Sequence, residues 1–300
     1  MWSIRPNTAR DNTLPAVRVA LIANRASGGG LDPEPLVRTM RERGAEVTVY
    51  GCEPADLEAA AAGGPDRIAV AGGDGTIGPV AELAGRLGVL LGVIPTGTAN
   101  DFARACDLPE DPRAAAALIV EGARLRSLEL GHLGDGRPFV NVASAGLASV
   151  AARRAQPLKP RLGPLAYAVG ALHAATTAAP LRCSVHADGA RVFGGDAWQV
   201  IVAVTGAFGG GSGVGRADPE DGVLDVTVLP AGSRLGLVRR AWGLRRHTIA
   251  EQRDVPHARG HVIEVAMPPG TEFNADGEVR ERGLDRVTVE PAAYRLVIGP

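Results

Sequence analysis

The chain has 300 residues, enough for one large domain or two moderate ones. Hydrophobic residues make up 45%, which excludes a disordered polymer, and a net charge of −1 with pI near 6.6 gives no electrostatic footprint for nucleic acid. Three cysteines, Cys52, Cys106 and Cys183, are widely spaced and form no CxxC, so neither a zinc site nor a disulfide framework is indicated, and a reducing cytoplasmic setting fits.

Residues 1–15 are polar and lack an apolar core, which reads as a loose tail rather than a signal peptide. Val17–Asn24 (VRVALIAN) is an apolar run suited to a buried parallel strand. A helix is predicted over Pro35–Gly44, a strand over Glu46–Tyr50, an Ala-rich helix over Ala55–Ala62 and a strand over Arg67–Ala71. That strand feeds Gly72-Gly73-Asp74-Gly75-Thr76, with a helix predicted from about Pro79, since proline suits an early helical position. Val89–Ile94 is the next strand, followed by Pro95–Asp101 (PTGTAND) and another helical stretch. This rhythm predicts an α/β unit over 16–129 with a parallel sheet covered by helices.

Beyond Glu129 the texture becomes strand-like, at 138–143, 181–187, 191–195, 198–205, 223–229, 261–267 and 286–289. One Ala-rich helical stretch, 163–179, interrupts it, and Leu165–Leu181 falls short of a membrane span. A mostly antiparallel β-sandwich is predicted over 130–291, with a last strand near 292–300 expected to return to the first unit. The cleft between two such units is the default ligand site.

Glycine is 40 of 300 residues, roughly twice the average share of about 7%, and much of it sits in loops. Gly72–Thr76 lies between a buried strand and a helix, where backbone N–H groups and the helix N-terminus favour a phosphate. Gly73-x-Gly75-x-x-Gly78 also satisfies the dinucleotide fingerprint, but Asp74 would sit inside the pyrophosphate cradle and no acidic residue ends the next strand. An Asp among phosphate-binding glycines makes better sense with Mg²⁺ to bridge the charges. In the second loop Gly97 and Thr98 face the same ligand, and Asn100 is placed to cap the next helix. A third loop, Asn24–Gly30, brings Asn24 and Ser27 to the same sheet edge, outside the carboxyl ends of the strands. Gly210–Arg216 imitates a P-loop but lacks its Lys and Ser/Thr, and is rejected.

Two further stretches carry acids. Asn274-Ala-Asp-Gly-Glu278 offers Asp276 and Glu278 on one side of an extended segment as base and partner, although by composition alone Asp-Gly reads first as a common hairpin turn. Asp218–Asp225 (DPEDGVLD) crowds loop oxygens suited to a hard cation, or is a solvated acidic turn. Ser233–Ile249 sets Leu235, Val238 and Trp242 at helical spacing near Arg239, Arg240, Arg245 and Arg246. Such a basic amphipathic helix suits an anionic membrane surface or packs on its own domain.

Together GGDGT (72–76), GTAND (97–101), Phe139–Leu147, Phe208–Gly211 with Asp221–Asp225, and DGE (276–278) resemble the bacterial diacylglycerol kinase-like lipid kinases, the group related to sphingosine and ceramide kinases. The resemblance runs from Asn24 to Ile298, whereas GGDGT alone is shared with NAD kinases and phosphofructokinases. It implies an ATP-dependent kinase for a lipid hydroxyl, with ATP on Gly73–Pro79 and Thr98, and Asp74 and Asp101 in a Mg²⁺-linked network. It further implies a structural Mg²⁺ on Asp218, Asp221 and Val223, and Asp276 or Glu278 as the base. The chain differs from the family pattern at Gly78-Pro79, where Asn-Glu is usual, at Tyr50-Gly51, where a threonine is often found, and at Glu129, where Asp is commoner. The alternatives are an NAD kinase-like enzyme and a catalytically inactive nucleotide-binding regulator.

Overall fold

The computed structural model describes residues 16–27, 30–147, 149–151, 177–215, 217–234 and 236–299. The expected tail and most of the 163–179 stretch lie outside the described residues. In the front half, β1 (Val17–Ala23), α1 (Glu34–Arg41), β2 (Ala45–Tyr50), α2 (Pro54–Ala62), β3 (Arg67–Gly72), α3 (Asp74–Leu87) and β4 (Leu90–Pro95) alternate as the sequence predicts. The strands pair parallel in the order β2-β1-β3-β4, and β1, β3 and β4 are almost wholly buried, which is why they read as unbroken apolar runs. Leu36, Met40 and Ile119 pack on one face of this sheet, and Ile77, Val80 and Phe102 on the other. A short α4 (Asp101–Ala105) and α5 (Pro112–Glu121) complete the helices of this half, α5 being capped by the Asp111 carboxylate on the Ala114 N–H.

α3 corrects an expectation. It starts at Asp74, with Gly73 extended at its N-cap, and carries Pro79 in its interior. The helix tolerates that proline because Ile77, Val80, Ala81, Leu83 and Ala84 are buried along it, and this packing outweighs the lost hydrogen bond. Gly78 also has a packing reason: a Cβ there would stand 2.8 Å from the Pro138 carbonyl oxygen.

The chain then runs through β5 (Arg124–Leu133), β6 (Pro138–Phe139), β7 (Val142–Gly146), β8 (Leu181–Ala187), β9 (Ala190–Ala203), β10 (Ala207–Phe208), β11 (Ser212–Gly213) and β12 (Leu224–Pro230). After α6 (Gly236–Arg245) come β13 (His257–Gly260), β14 (Val262–Ala266), β15 (Phe273–Ala275), β16 (Glu278–Arg280) and β17 (Arg286–Ile298). The back half is an antiparallel sandwich around Phe139, Val200, Val202, Val226, Ile263 and Phe273. Two predicted strands, 191–195 and 198–205, are one strand, β9, because Gly194 and Gly195 extend along β8 rather than turning. The predicted 138–143 strand is instead split at Val140–Asn141, whose N–H groups face a carboxylate.

β17 joins the two halves. It pairs antiparallel with β14 at Val287 and Thr288, then parallel with β4 at Arg295 and Leu296, while β5 runs antiparallel along it on both sides of an irregularity between Glu290 and Tyr294. Among the described residues no helix is long and apolar enough to cross a membrane. Gly78→Asn is expected to destabilise the fold by about 1–3 kcal/mol through overpacking against Pro138, read as a lower urea midpoint.

Candidate functional site

Three loops leave the carboxyl ends of β1, β3 and β4 and are tied together by main chain. The Asn24 N–H donates to the Ala71 carbonyl at 2.9 Å, and the Thr96 N–H donates to the Gly72 carbonyl at 3.1 Å. Asn24 Nδ2 donates to Thr76 Oγ1 at 3.1 Å, and Ser27 Oγ to the Thr96 carbonyl at 3.1 Å. Gly73 and Gly97 face each other so closely that a Cβ on Gly97 would lie 2.6 Å from the Gly73 Cα. Only bare backbone fits there. The result is a shallow cradle of main chain at the N-terminus of α3, with Thr98 exposed beside it.

Asn100 does not cap α4 as expected. It takes a left-handed φ of 51°, and its side chain folds back onto its own loop, accepting from the Gly97 N–H at 2.9 Å and donating to the Gly97 carbonyl at 3.0 Å. The start of α4 is held instead by Asp74, whose carboxylate accepts from Phe102 N–H at 2.8 Å and Asp101 N–H at 3.2 Å. Burial raises the Asp74 pKa, and the Asp101 charge adds to that against the pull of the Phe102 N–H.

The back half closes over these groups. Asn141 Nδ2 donates to Asp74 Oδ1 at 3.1 Å, and Asn141 Oδ1 accepts from Thr205 Oγ1 at 2.6 Å. The backbone N–H of the same residue donates to Asp276 Oδ1 at 2.9 Å. Asp101, 4% exposed, accepts from the N–H groups of Gly210 and Gly211, each at 3.0 Å, and pairs with Arg104 at 3.0 Å. A Cβ on Gly75 would stand 2.8 Å from Glu278 Oε1, so the DGE hairpin sits on the glycine loop. Asn141, Thr205, Gly210 and Gly211 were not singled out as site residues from sequence. Asn141 had a usable signal inside the family-like 139–147 segment, as did Gly210 and Gly211 inside the family-like Phe208–Gly211 stretch.

Asp276 and Glu278 do not share one side of an extended segment; of the two readings the hairpin turn holds. Asp276 (φ 46°) and Gly277 (φ 90°) form the turn between β15 and β16. The partly buried Asp276 carboxylate accepts from the N–H groups of Val140 (2.8 Å), Asn141 (2.9 Å) and Val142 (3.2 Å). Its pKa is pushed up to about 7, first by burial and further by the Asp74 charge, with the three N–H groups pulling the other way. Glu278 is exposed and bonded to Arg280 Nη2 at 2.6 Å, and desolvation raises its pKa while Arg137 tempers the rise.

The 218–225 loop borders the site at Pro219, which lines one cleft with Asp101 and Thr205. Asp218 Oδ1 accepts from the Glu220 N–H, while Asp221 bonds the Val223 N–H and pairs with Arg259. Beneath it Glu129 is fully buried, with Oε2 accepting from Gly222 N–H at 2.7 Å and Oε1 without a partner. Burial pushes the Glu129 pKa up to about 7. Asp225 contacts His257 Nε2 at 2.6 Å and leaves Oδ2 without a hydrogen-bond partner. Among the described residues no cluster of three or more His, Cys, Asp or Glu side chains could hold a metal by itself.

The family described as "Diacylglycerol kinase catalytic domain" matches residues 18–133, and the one described as "YegS C-terminal NAD kinase beta sandwich-like domain" matches residues 141–298. The chain belongs to the diacylglycerol kinase-like lipid kinases. It is 30% identical to a probable lipid kinase YegS-like protein of Pectobacterium atrosepticum, with 93% of this chain and 95% of that one covered. It is 29% identical to a diacylglycerol kinase of Mycobacterium tuberculosis, with 93% and 94% covered. A diacylglycerol kinase crystal structure from Bacillus anthracis superposes with a TM-score of 0.75 at 22% identity, covering 94% of this chain and 97% of that one, and shows the shared fold. Family membership makes this lipid kinase homologue a phosphotransferase with a lipid alcohol as acceptor.

Two measurements probe the site. Asn141→Ala removes the side-chain partner of both Asp74 and Thr205, and a stability loss of about 1–3 kcal/mol is expected in thermal or urea unfolding. Asp276 and Glu129 protonate more readily in the folded chain than in the unfolded one, so folding takes up protons between their ordinary values and about 7. Stability is therefore expected to be highest near about pH 4 and to fall as pH rises through about 7, with a flatter profile in Asp276→Asn.

Proposed function

We propose that the chain transfers the γ-phosphoryl group of ATP to the hydroxyl of a lipid alcohol such as diacylglycerol. The observation that carries the reading is the meeting of the two halves: Asp276 and Glu278 of the DGE hairpin stand against Asp74 and Gly75 of the glycine loop, bridged by Asn141.

The residues present fit a Mg²⁺-nucleotide. The absence of a Cβ on Gly97 lets the β3 and β4 loops press backbone to backbone beside the α3 N-terminus, which adds positive potential for a phosphate. Asp74 and Asp101 are close enough for one charge to raise the other's pKa, a hard-oxygen pair suited to an ion that keeps several waters and leans on phosphates. Bound there, Mg²⁺ would supply neutralisation of the phosphate charge. Gly72, Gly73, Gly75, Thr76, Gly97 and Thr98 line the phosphates, while Asn24, Ser27 and Asn100 fix the loops that present them.

In the transfer, the lipid oxygen forms its bond to the γ-phosphorus as the bond to the bridging oxygen of ADP breaks. Asp276 takes the hydroxyl proton: its raised pKa suits a base near neutrality, and its Oδ2 accepts one N–H and has a lone pair to spare. Glu278, beside Gly75, orients the acceptor. Positioning and fixed charge supply the remaining acceleration.

A second Mg²⁺ on the 218–223 loop belongs to the same proposal, held by Asp221 and the main-chain oxygens of Asp218 and Val223. The buried Glu129 Oε1, without a hydrogen-bond partner, supports it, since a cation nearby offsets its charge, whereas Asp225 Oδ2 already has Arg259 Nε at 3.6 Å. Asp221 would have to release Arg259. The enzyme would work as a peripheral protein at the cytoplasmic face of a membrane.

The test is radiolabelled ATP with Mg²⁺ across diacylglycerol, phosphatidylglycerol, sphingosine, a polyprenol and NAD. Label is expected in a lipid, with Asp276→Asn lowering turnover by about 10²–10⁴-fold. Label in NAD alone, or ATP binding with no product, would overturn the reading in favour of an NAD kinase-like enzyme or an inactive regulator.

A further inference from the structure

α6 buries one face on its own domain and leaves another bare. Leu237, Arg240 and Gly243 are buried, and Arg240 pairs with Asp254 at 3.1 Å, so this arginine faces inward rather than joining a basic surface. Leu235, expected on the apolar stripe, lies outside the described residues. On the exposed side Val238 is 71% and Trp242 60% exposed, one helical turn apart. Among the described residues only Leu87 and Leu125 are other exposed large apolar side chains, and each is far less bare, at 38% and 42%. Arg246 lies over the Trp242 ring, 4.6 Å from its centroid. Arg239 beside them contacts Asp254 at 2.5 Å. Residues 233–248 contain five arginines and no Asp or Glu, in a chain whose net charge is −1.

We infer that this face of α6, with Val238 and Trp242 at its centre and Arg239 and Arg246 at its edge, docks on the anionic surface of a lipid bilayer. Charge decides the occupant. A tryptophan topped by a guanidinium places its ring at headgroup depth while the cation meets lipid phosphates, and local positive charge on a neutral protein gains from a negative membrane. Position supports the same occupant. Arg245 at the end of α6 donates to the Gly210 carbonyl at 2.9 Å, and the Gly210 and Gly211 N–H groups hold Asp101. His247, just past the helix, lines one cleft of about 460 Å³ with Asp101, Thr205 and Gly211. The carboxyl end of the helix that carries the docking face thus reaches this cleft through Arg245 and His247. The inference deepens the lipid kinase reading and rests on it.

The experiment is co-sedimentation of the full chain with vesicles of phosphatidylcholine alone and of phosphatidylcholine with phosphatidylglycerol, at low and high salt. Binding at least fivefold stronger to the anionic vesicles, weakened by salt, is expected. Val238→Asp and Trp242→Ala should each reduce it about tenfold, and Arg246→Glu about fivefold. Phosphorylation of a short-chain acceptor dispersed as monomers should stay at the parent level in all three, which also reports their folding, and Val238→Asp alters a side chain already in solvent. The inference is overturned if the parent ignores anionic vesicles, if the variants bind like the parent, or if the Trp242 change abolishes self-association in sedimentation velocity while leaving vesicle binding intact. Trp242-dependent vesicle binding with no lipid phosphorylated by the parent would sink the kinase reading and leave the docking surface standing.

Discussion

Three carboxylates, Asp74, Asp101 and Asp276, are held mainly by main-chain N–H groups, and the arrangement of both halves follows from that grip. Asp74 takes two amides from the start of α4 and the Asn141 side chain from the opposite half. Asp101 takes the Gly210 and Gly211 amides from across the same boundary. Asp276 takes three consecutive amides of the β6–β7 connection, and this is why that strand is interrupted. A charge removed from water without such partners costs several kcal/mol, about the whole margin of a domain, so these bonds are obligatory once the halves close. Asn141 belongs to two of the three sets and fixes their spacing.

The connection that keeps the halves in register is β17. Its first residues complete the sandwich beside β14, and its last ones extend the parallel sheet beside β4, with β5 alongside throughout. Sliding one half against the other would break ladder bonds on three strands at once. A rigid frame of this kind suits a reaction whose catalysis is chiefly positioning.

Glycine serves different ends in the same cleft. Gly73 and Gly97 have their backbones pressed together, Gly75 leaves space for Glu278, and Gly78 makes room for the Pro138 carbonyl. Gly78-Pro79 is thus accommodated by close packing of α3 on β6 and by an exposed proline.

The parallel sheet was legible in the sequence because strands buried on both faces are uninterrupted apolar runs, and VRVALIA and RIAVA carry that signature without help from distant residues. The glycine loops were legible for a similar reason, since each follows such a strand directly. Local pattern failed where a distant group decided the backbone. The start of α3, where Asp74 holds α4, and the split at Val140–Asn141 answer to partners elsewhere in the chain, 136 residues away for Val140 and Asp276. The DGE segment was legible as an Asp-Gly hairpin turn, but not that the turn aims one carboxylate at those amides. Residue types and their order determined the sheet, the loops and the family. Which carboxylate meets which amide, and the role of Asn141 between them, was decided only by tertiary closure, because hydrogen bonds between sequence-distant groups leave no periodic trace in the chain.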